Sequence, residues 1–209
     1  MARYTGPRLR IVRRLGELPG LTSKVVKERK QHPPGHHGPN QKQQKKSQFS
    51  DYKIRLMEKQ KLRFNYGINE KQLLNYVKEA RRRKGSTGFF LMQLLEMRLD
   101  TTIFRLGLAS TIPAARQLIN HGHILVNNKK VNIPSFICQV NDQISVRDNS
   151  KSRNLVEKSL ANPRFSRLPE HLELNKKSLN ATINSNVTKE NLSFKVNSLL
   201  IVEYYARLI

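Results

Sequence analysis

The chain has 209 residues, with 39 Lys and Arg against 15 Asp and Glu, a formal net charge of +24. A compact protein with that charge repels itself unless a polyanion neutralises it, and nucleic acid is the commonest such partner. No stretch approaches the roughly 18 apolar residues of a membrane span, and the single cysteine, Cys138, excludes an internal disulfide or a cysteine-based zinc cluster.

Residues 1–48 read as a basic, largely extended N-terminal arm. Arg3, Arg8, Arg10, Arg13 and Arg14 alternate with Leu9, Ile11, Val12 and Leu15. That pattern predicts a short helix with its apolar residues on a neighbour and its guanidinium groups turned to phosphate. His32-Pro33-Pro34-Gly35-His36-His37-Gly38-Pro39 and the Gln/Lys run after it have no packing period. Proline removes amide donors and glycine raises the entropy cost of ordering, so this stretch is expected to be extended and ordered only by its partner.

From Ser50 the pattern turns helical. Ser50 caps a segment running to Tyr66, with Gly67 as its stop; Ile54, Leu56 and Met57 give a modest apolar stripe among Lys53, Lys59, Lys61 and Arg63. Asn69 and Gln72 form a capping pair for a second helix, with Leu73, Leu74, Val77 and Ala80 on one face. Its end, Arg81-Arg82-Arg83-Lys84, sets cations at the favourable end of the dipole. Thr87 is expected to cap a third helix through Phe90, Leu91, Leu94 and Leu95. Asp100 to Gly107 reads as a short helix, and Ser110 or Thr111 caps the next, with Pro113 in its first turn. There Ala115, Leu118 and Ile119 face inward, while Arg116, Gln117 and Asn120 lie on the other side. The period then changes to that of a hairpin, Ile124-Leu125-Val126 and Lys129-Lys130-Val131 about Asn127-Asn128. Ile144 to Val146 follows as a strand after an Asn141-Asp142 turn. Residues 149–198 show only weak periodicity. Leu199 to Tyr205 is too apolar for a free tail and is expected to dock on the helical first half.

Charge is uneven: residues 1–100 carry 24 Lys and Arg against 8 acidic residues, the remainder 15 against 7. One part lying along phosphates and another folding conventionally would give this asymmetry. Catalytic chemistry finds no candidate. Gly85-Ser86-Thr87-Gly88 is no Walker loop, because no Lys-Ser/Thr pair follows at the required spacing. His32, His36 and His37 have no carboxylate or cysteine nearby to complete a metal tetrahedron. The carboxylates are scattered and offer no acid/base pair. No enzyme activity, cofactor, metal or small-molecule substrate is therefore expected. The helix bearing Arg116, Gln117 and Asn120, then His121 and His123, then the lysine-tipped hairpin, would make a polar and basic face suited to folded RNA.

These blocks resemble a known family. Met1-Ala2-Arg3-Tyr4-Thr5-Gly6-Pro7, Glu58 to Gly67, Leu94-Leu95-Glu96-Met97-Arg98-Leu99-Asp100, Ala115 to Ile124 and Leu200-Ile201-Val202-Glu203-Tyr204-Tyr205 are similar to the ribosomal protein S4 family, in order along nearly the whole chain. The chain departs from that family at Asn128, where glycine is usual, and at Asn141-Asp142 in place of Gly-Asp. Leu18 to Thr22 and Ala109 to Ala115 resemble plastid members. With no signal or transit segment before Arg3, the resemblance implies a plastid-encoded protein of the plastid (chloroplast) ribosome.

The resemblance implies an α+β fold: a mostly helical domain (49–97 plus 196–209) with an inserted helix-plus-β-hairpin RNA-binding module (98–160). The arm (1–48) precedes it and a connecting segment (161–195) leads back. Such proteins are structural constituents of the small ribosomal subunit. They bind its ribosomal RNA as primary binders, nucleate assembly of the subunit body and contribute to translational accuracy. They contact neighbouring ribosomal proteins, especially protein five, and line the path along which messenger RNA enters. The expected RNA contacts are Arg3, Arg8, Arg10, Arg13 and Arg14 from the arm. Lys59, Lys61, Arg63, Arg81, Arg82 and Arg83 are expected from the helical domain, and Arg98, Arg105, Arg116, Gln117, His121, His123, Lys129 and Lys130 from the module. The rivals are an RNA-modifying enzyme that borrowed the module, for which too few residues remain, and a DNA-compacting protein.

Overall fold

The computed structural model describes residues 4–27, 30, 32–41, 50–161, 168–192 and 194–206. In chain order the elements are α1 (Arg8–Leu15), α2 (Gly38–Gln41), α3 (Asp51–Tyr66), α4 (Glu70–Arg82), α5 (Thr87–Glu96), α6 (Leu99–Arg105), α7 (Ile112–Asn120), β1 (Ile124–Val126), β2 (Lys129–Lys130), β3 (Gln143–Val146), α8 (Ser150–Leu160), β4 (Leu172–Asn175), β5 (Asn180–Ile183) and α9 (Ser198–Ala206). The fold is α+β, in two units: one of residues 1–91 with 195–209, the other of residues 92–194.

In the first unit the local signals act where the sequence sets them. Ser50 accepts a bond from the Lys53 amide, and Gly67, at φ 60°, turns α3 off with its amide on the Arg63 carbonyl. Asn69 accepts from the Gln72 amide at 2.8 Å to open α4. Thr87 is the first residue of α5 rather than its cap; Ser86 precedes it and its carbonyl accepts from the Phe90 amide. The apolar segment near the C-terminus forms α9, which packs on α3 and α4 and buries Ile201 and Tyr205. Each such side chain removed from water contributes about 1.5–3 kcal/mol. The arm departs from its expected extended course. Residues 32–41 make turns and the single helical turn α2. Arg13 fastens them, donating from Nε to the His32 carbonyl at 3.0 Å and from Nη2 to that of Pro33 at 3.4 Å. The chain's own arginine thus takes the ordering role expected of a partner. The run 42–49 lies outside the described residues.

The second unit is built around an antiparallel sheet in the order β2-β1-β3-β5-β4. Asn127 and Asn128 take φ of 49° and 62°, the pair of left-handed values a two-residue hairpin loop demands, which asparagine tolerates. Val126 pairs with Lys129 across that turn. Asn127 is also clipped to the start of β3: its Nδ2 donates to Asp142 and its Oδ1 accepts from the Gln143 amide. Asn141 adopts φ 72°, a left-handed value that asparagine tolerates. Period-two burial puts Ile124, Val126, Ile144, Val146, Ala181 and Ile183 into the core, where they meet Ile103, Ala115, Leu118 and Ile119 of α6 and α7. Strands β4 and β5 come from the region of weak periodicity. Among the described residues no helix is long and apolar enough to cross a membrane.

Candidate nucleic-acid interface

Two carboxylates decide which cations of the second unit face inward. Asp100, fully buried, accepts from Arg98 Nε at 3.0 Å and Nη2 at 2.8 Å, from the Thr101 amide at 2.9 Å, and from Arg116 Nε at 2.7 Å. Glu96, also buried, takes Arg105 in two parallel bonds of 2.8 and 2.6 Å, the strong planar pairing of a guanidinium with a carboxylate. Arg98 is 0% exposed. It is removed from the expected RNA contacts, because a burial complete enough to need a carboxylate partner leaves nothing for a phosphate to reach. Arg116, expected on the outer side of α7, turns instead to Asp100, sixteen residues earlier, and fixes α7 to the start of α6. Lys59 of the first unit is corrected for the same reason: it is 4% exposed, with Nζ 2.7 Å from Glu70 and 4.9 Å from the centre of the Tyr204 ring.

What the second unit presents outward is a continuous polar strip. Gln117 and Asn120 lie exposed on α7, followed by exposed His121. His123 sits 6.0 Å from His121 between ring centres, and its Nδ1 is 2.8 Å from Ser152 Oγ on α8. Burial, then the charges of His121 and Arg147, hold the His123 imidazole below its ordinary value. It is therefore a neutral hydrogen-bonding group near pH 7. Lys130 folds back over Gly122, whose φ of 70° and missing Cβ admit the lysine stem. That approach brings the Lys130 side chain to the end of α7, while Lys129, also exposed, precedes it on β2. On the far side, the Arg147 amide donates to the His123 carbonyl, and α8 begins three residues later. Gln117, His121, His123 and Lys130 thus lie about the end of α7, with Lys129 exposed on the hairpin strand.

The structure adds residues that the sequence reading missed: Arg147, Lys151 and Lys158, all exposed along or just before α8, with Arg153 paired to Asp148 at 2.9 Å. A signal was available. Asn149 caps α8 by accepting from the Lys151 amide, and Ser152 and Val156 lie buried one turn apart.

The cations of the first unit are more dispersed. Arg10 and Arg14 are exposed on α1, and Arg8 reaches the Leu21 carbonyl. Arg81, Arg82 and Arg83 are exposed at the end of α4, with Arg83 lying 5.8 Å from the Phe90 ring centre. Lys61 and Arg63 are half-buried: Lys61 bonds the Lys195 carbonyl, and Arg63 lies near both Glu70 and the Phe64 ring. Arg3 lies outside the described residues. Among the described residues no group of three or more His, Cys, Asp or Glu could hold a metal ion. The chemistry on offer is phosphate neutralisation and hydrogen bonding to polar edges.

Comparison with known proteins places the chain among relatives of one family. Residues 3–96 match the description "Ribosomal protein S4/S9 N-terminal domain", and residues 97–144 match "S4 domain". The chain is 59% identical over 207 residues to the small ribosomal subunit protein uS4 of Thermosynechococcus vestitus, covering 99% of both chains. It is 60% identical over 209 residues to the small ribosomal subunit protein uS4c of Prototheca wickerhamii, again covering 99% of both. Against the uS4c of Cyanophora paradoxa it is 56% identical over 207 residues, covering 99% of this chain and all of the relative.

Proposed function

The chain belongs to the ribosomal protein S4 family, and on that premise we propose that it is a structural constituent of the small ribosomal subunit that binds ribosomal RNA directly. The observation that carries this reading is the strip of the second unit where Gln117, His121, His123 and Lys130 lie beside Arg147 and the start of α8, with Lys129 exposed on the same hairpin. Lysines and arginines there supply counterion release, while the amide and imidazoles supply groups able to bond ribose hydroxyls and base edges. Arm residues Arg10 and Arg14 and the α4 terminus with Arg81 to Arg83 follow phosphates. Arg116, with Arg98 behind it, holds α7 in position to meet the RNA.

The finer reading follows the family resemblance. The protein is a primary ribosomal RNA binder that nucleates assembly of the subunit body, contributes to translational accuracy, contacts protein five and lines the path along which messenger RNA enters. Its working place is the plastid ribosome, with its gene carried by the plastid. The relatives called uS4c support the plastid part of that reading. The test is a salt titration of binding to small-subunit ribosomal RNA with duplex DNA as competitor. Tight binding that survives moderate salt and excess DNA is expected. Equal affinity for both, collapsing together as salt rises, overturns the reading in favour of a generic polycation.

A further inference from the structure

Between α7 and α8 the second unit holds a slot of about 180 Å³. Its walls are apolar: Ala109, Ala114 and Leu118 on one side and Leu155 on the other. Its rim is polar and comprises Gln117, His121, His123 and Ser159. The Nδ1 of His123 is tied to Ser152, which fixes the ring at the mouth and leaves its other nitrogen for a ligand. Leu155 is 47% exposed although it lines the slot. The strip described above shares Gln117, His121 and His123 with this hollow but makes no use of its apolar walls.

Its size and lining narrow the occupant. Pockets for drug-sized molecules run to roughly 300–1,000 Å³, so this one suits a single flat ring system. A bare phosphate would lose its hydration against the leucine and alanine walls without gaining a lysine or arginine inside. A peptide side chain would fit the walls, but the ground around the mouth is cationic: Lys130 on one side, Arg147 and Lys151 on the other. Those charges hold a polyanion backbone at the edge while an apolar, edge-polar group enters. A nucleobase attached to its phosphates has that combination, and RNA offers such bases in loops and bulges.

We propose that the slot between α7 and α8 receives one unstacked base of the bound RNA, its faces against Leu118 and Leu155 and its polar edge at Gln117 and the two histidines. This rests on the RNA-binding reading above and adds a base-reading element to a surface otherwise suited to backbone recognition.

The test uses the full chain and in vitro transcribed small-subunit ribosomal RNA. The protein contains no tryptophan, so Leu155→Trp places the only tryptophan on the slot wall, excited selectively at a wavelength that its tyrosines do not absorb. Its emission is expected to be quenched by stacking when the RNA is added. Ala114→Phe fills the slot without changing charge, and its affinity is expected to fall roughly tenfold to a hundredfold, the scale of one base–side-chain stack. The slope of affinity against salt should stay as in the parent protein. Unquenched tryptophan together with parental affinity in Ala114→Phe overturns the base pocket and leaves the RNA-binding reading standing. An emission change that comes only with other small-subunit proteins gives the slot to a protein and overturns the proposal. Loss of RNA preference over duplex DNA in the parent chain defeats the wider reading instead. Leu155→Trp tests the slot even if Ala114→Phe does not fold.

Discussion

Asp100 in the second unit and Glu70 in the first are each a single carboxylate that gathers two cations. Asp100 joins Arg98 and Arg116, and it is sealed from water. Glu70 takes Lys59 and, more loosely, Arg63, and it accepts from the Tyr205 hydroxyl at 2.6 Å, yet its side chain is 45% exposed. In a protein with so few acidic residues, each such carboxylate organises a neighbourhood. The difference in burial sets how much each contributes. A sealed hub that loses its anion strands two charges in a low dielectric, whereas an open one lets water take part of the load.

Asp100→Asn breaks the comparison most severely. Leaving Arg98 and Arg116 without their anion is expected to cost about 3–5 kcal/mol, read as a lower urea midpoint at unchanged slope. Glu70→Gln is expected to cost less, about 1–2 kcal/mol, because Lys59 is stranded but the site is wetted. Equal losses in the two variants would show that burial does not set the scale.

A strained position elsewhere calibrates the range. Gly122→Ala must hold a left-handed φ and displace the Lys130 stem, at about 1–2 kcal/mol; a neutral result would mean that the hairpin is free to move aside. Acid sharpens the contrast further. Burial by itself would raise the Glu70 carboxyl, but the hydrogen bonds from Lys59 and Tyr205, with the charges of Lys59 and Arg63, outweigh it and hold it below its ordinary value. Its contribution is therefore complete above the unfolded carboxylate value, about 4.3. It is lost as pH falls through the lower folded value. Between about pH 5 and 3 the parent should lose stability more steeply than Glu70→Gln, in parallel urea titrations.

The smallest expected effect on stability comes from the double change Lys129→Ala with Lys130→Ala, within about 0.5 kcal/mol, since both are exposed. Its RNA affinity should instead show a salt slope reduced by roughly 0.7–0.9 for every phosphate that the two lysines neutralise. An unchanged slope would remove the hairpin from the interface.

Much of the helical architecture was legible because short-range chemistry sets it. Ser50, Gly67, Asn69 and Thr111 each act at the positions their residue types suggest, and Asn127-Asn128 makes the hairpin. Residues 149–198 were not legible. β4 and β5 have four residues each, and their partners lie across a long sequence gap or the loop Lys176-Lys177-Ser178-Leu179. Alternation over four residues is too short a signal to separate from chance. At the site, Gln117, the histidines and the hairpin lysines were legible as exposed polar groups after an apolar helix face. Arg98, Arg116 and Lys59 were misread because a cation looks the same in sequence whether it faces solvent or a buried carboxylate. Asp100 stands two residues from Arg98 and sixteen from Arg116, and only the fold brings the three together.

The return of residues 195–209 to the first unit has a consequence for synthesis. Residues 92–194 are contiguous, so they can fold as soon as they have left the exit tunnel. The first unit, though begun earlier, lacks α9 until the second has been made, and until then α3 is without its neighbour α9 and Glu70 without the Tyr205 hydroxyl. Domains generally fold in the order in which they are made; here the unit begun first is the last to receive its closing helix. Until α9 has been made, the helical unit stays unfinished, still basic and still open, although the rest of it precedes the sheet-bearing unit in the chain.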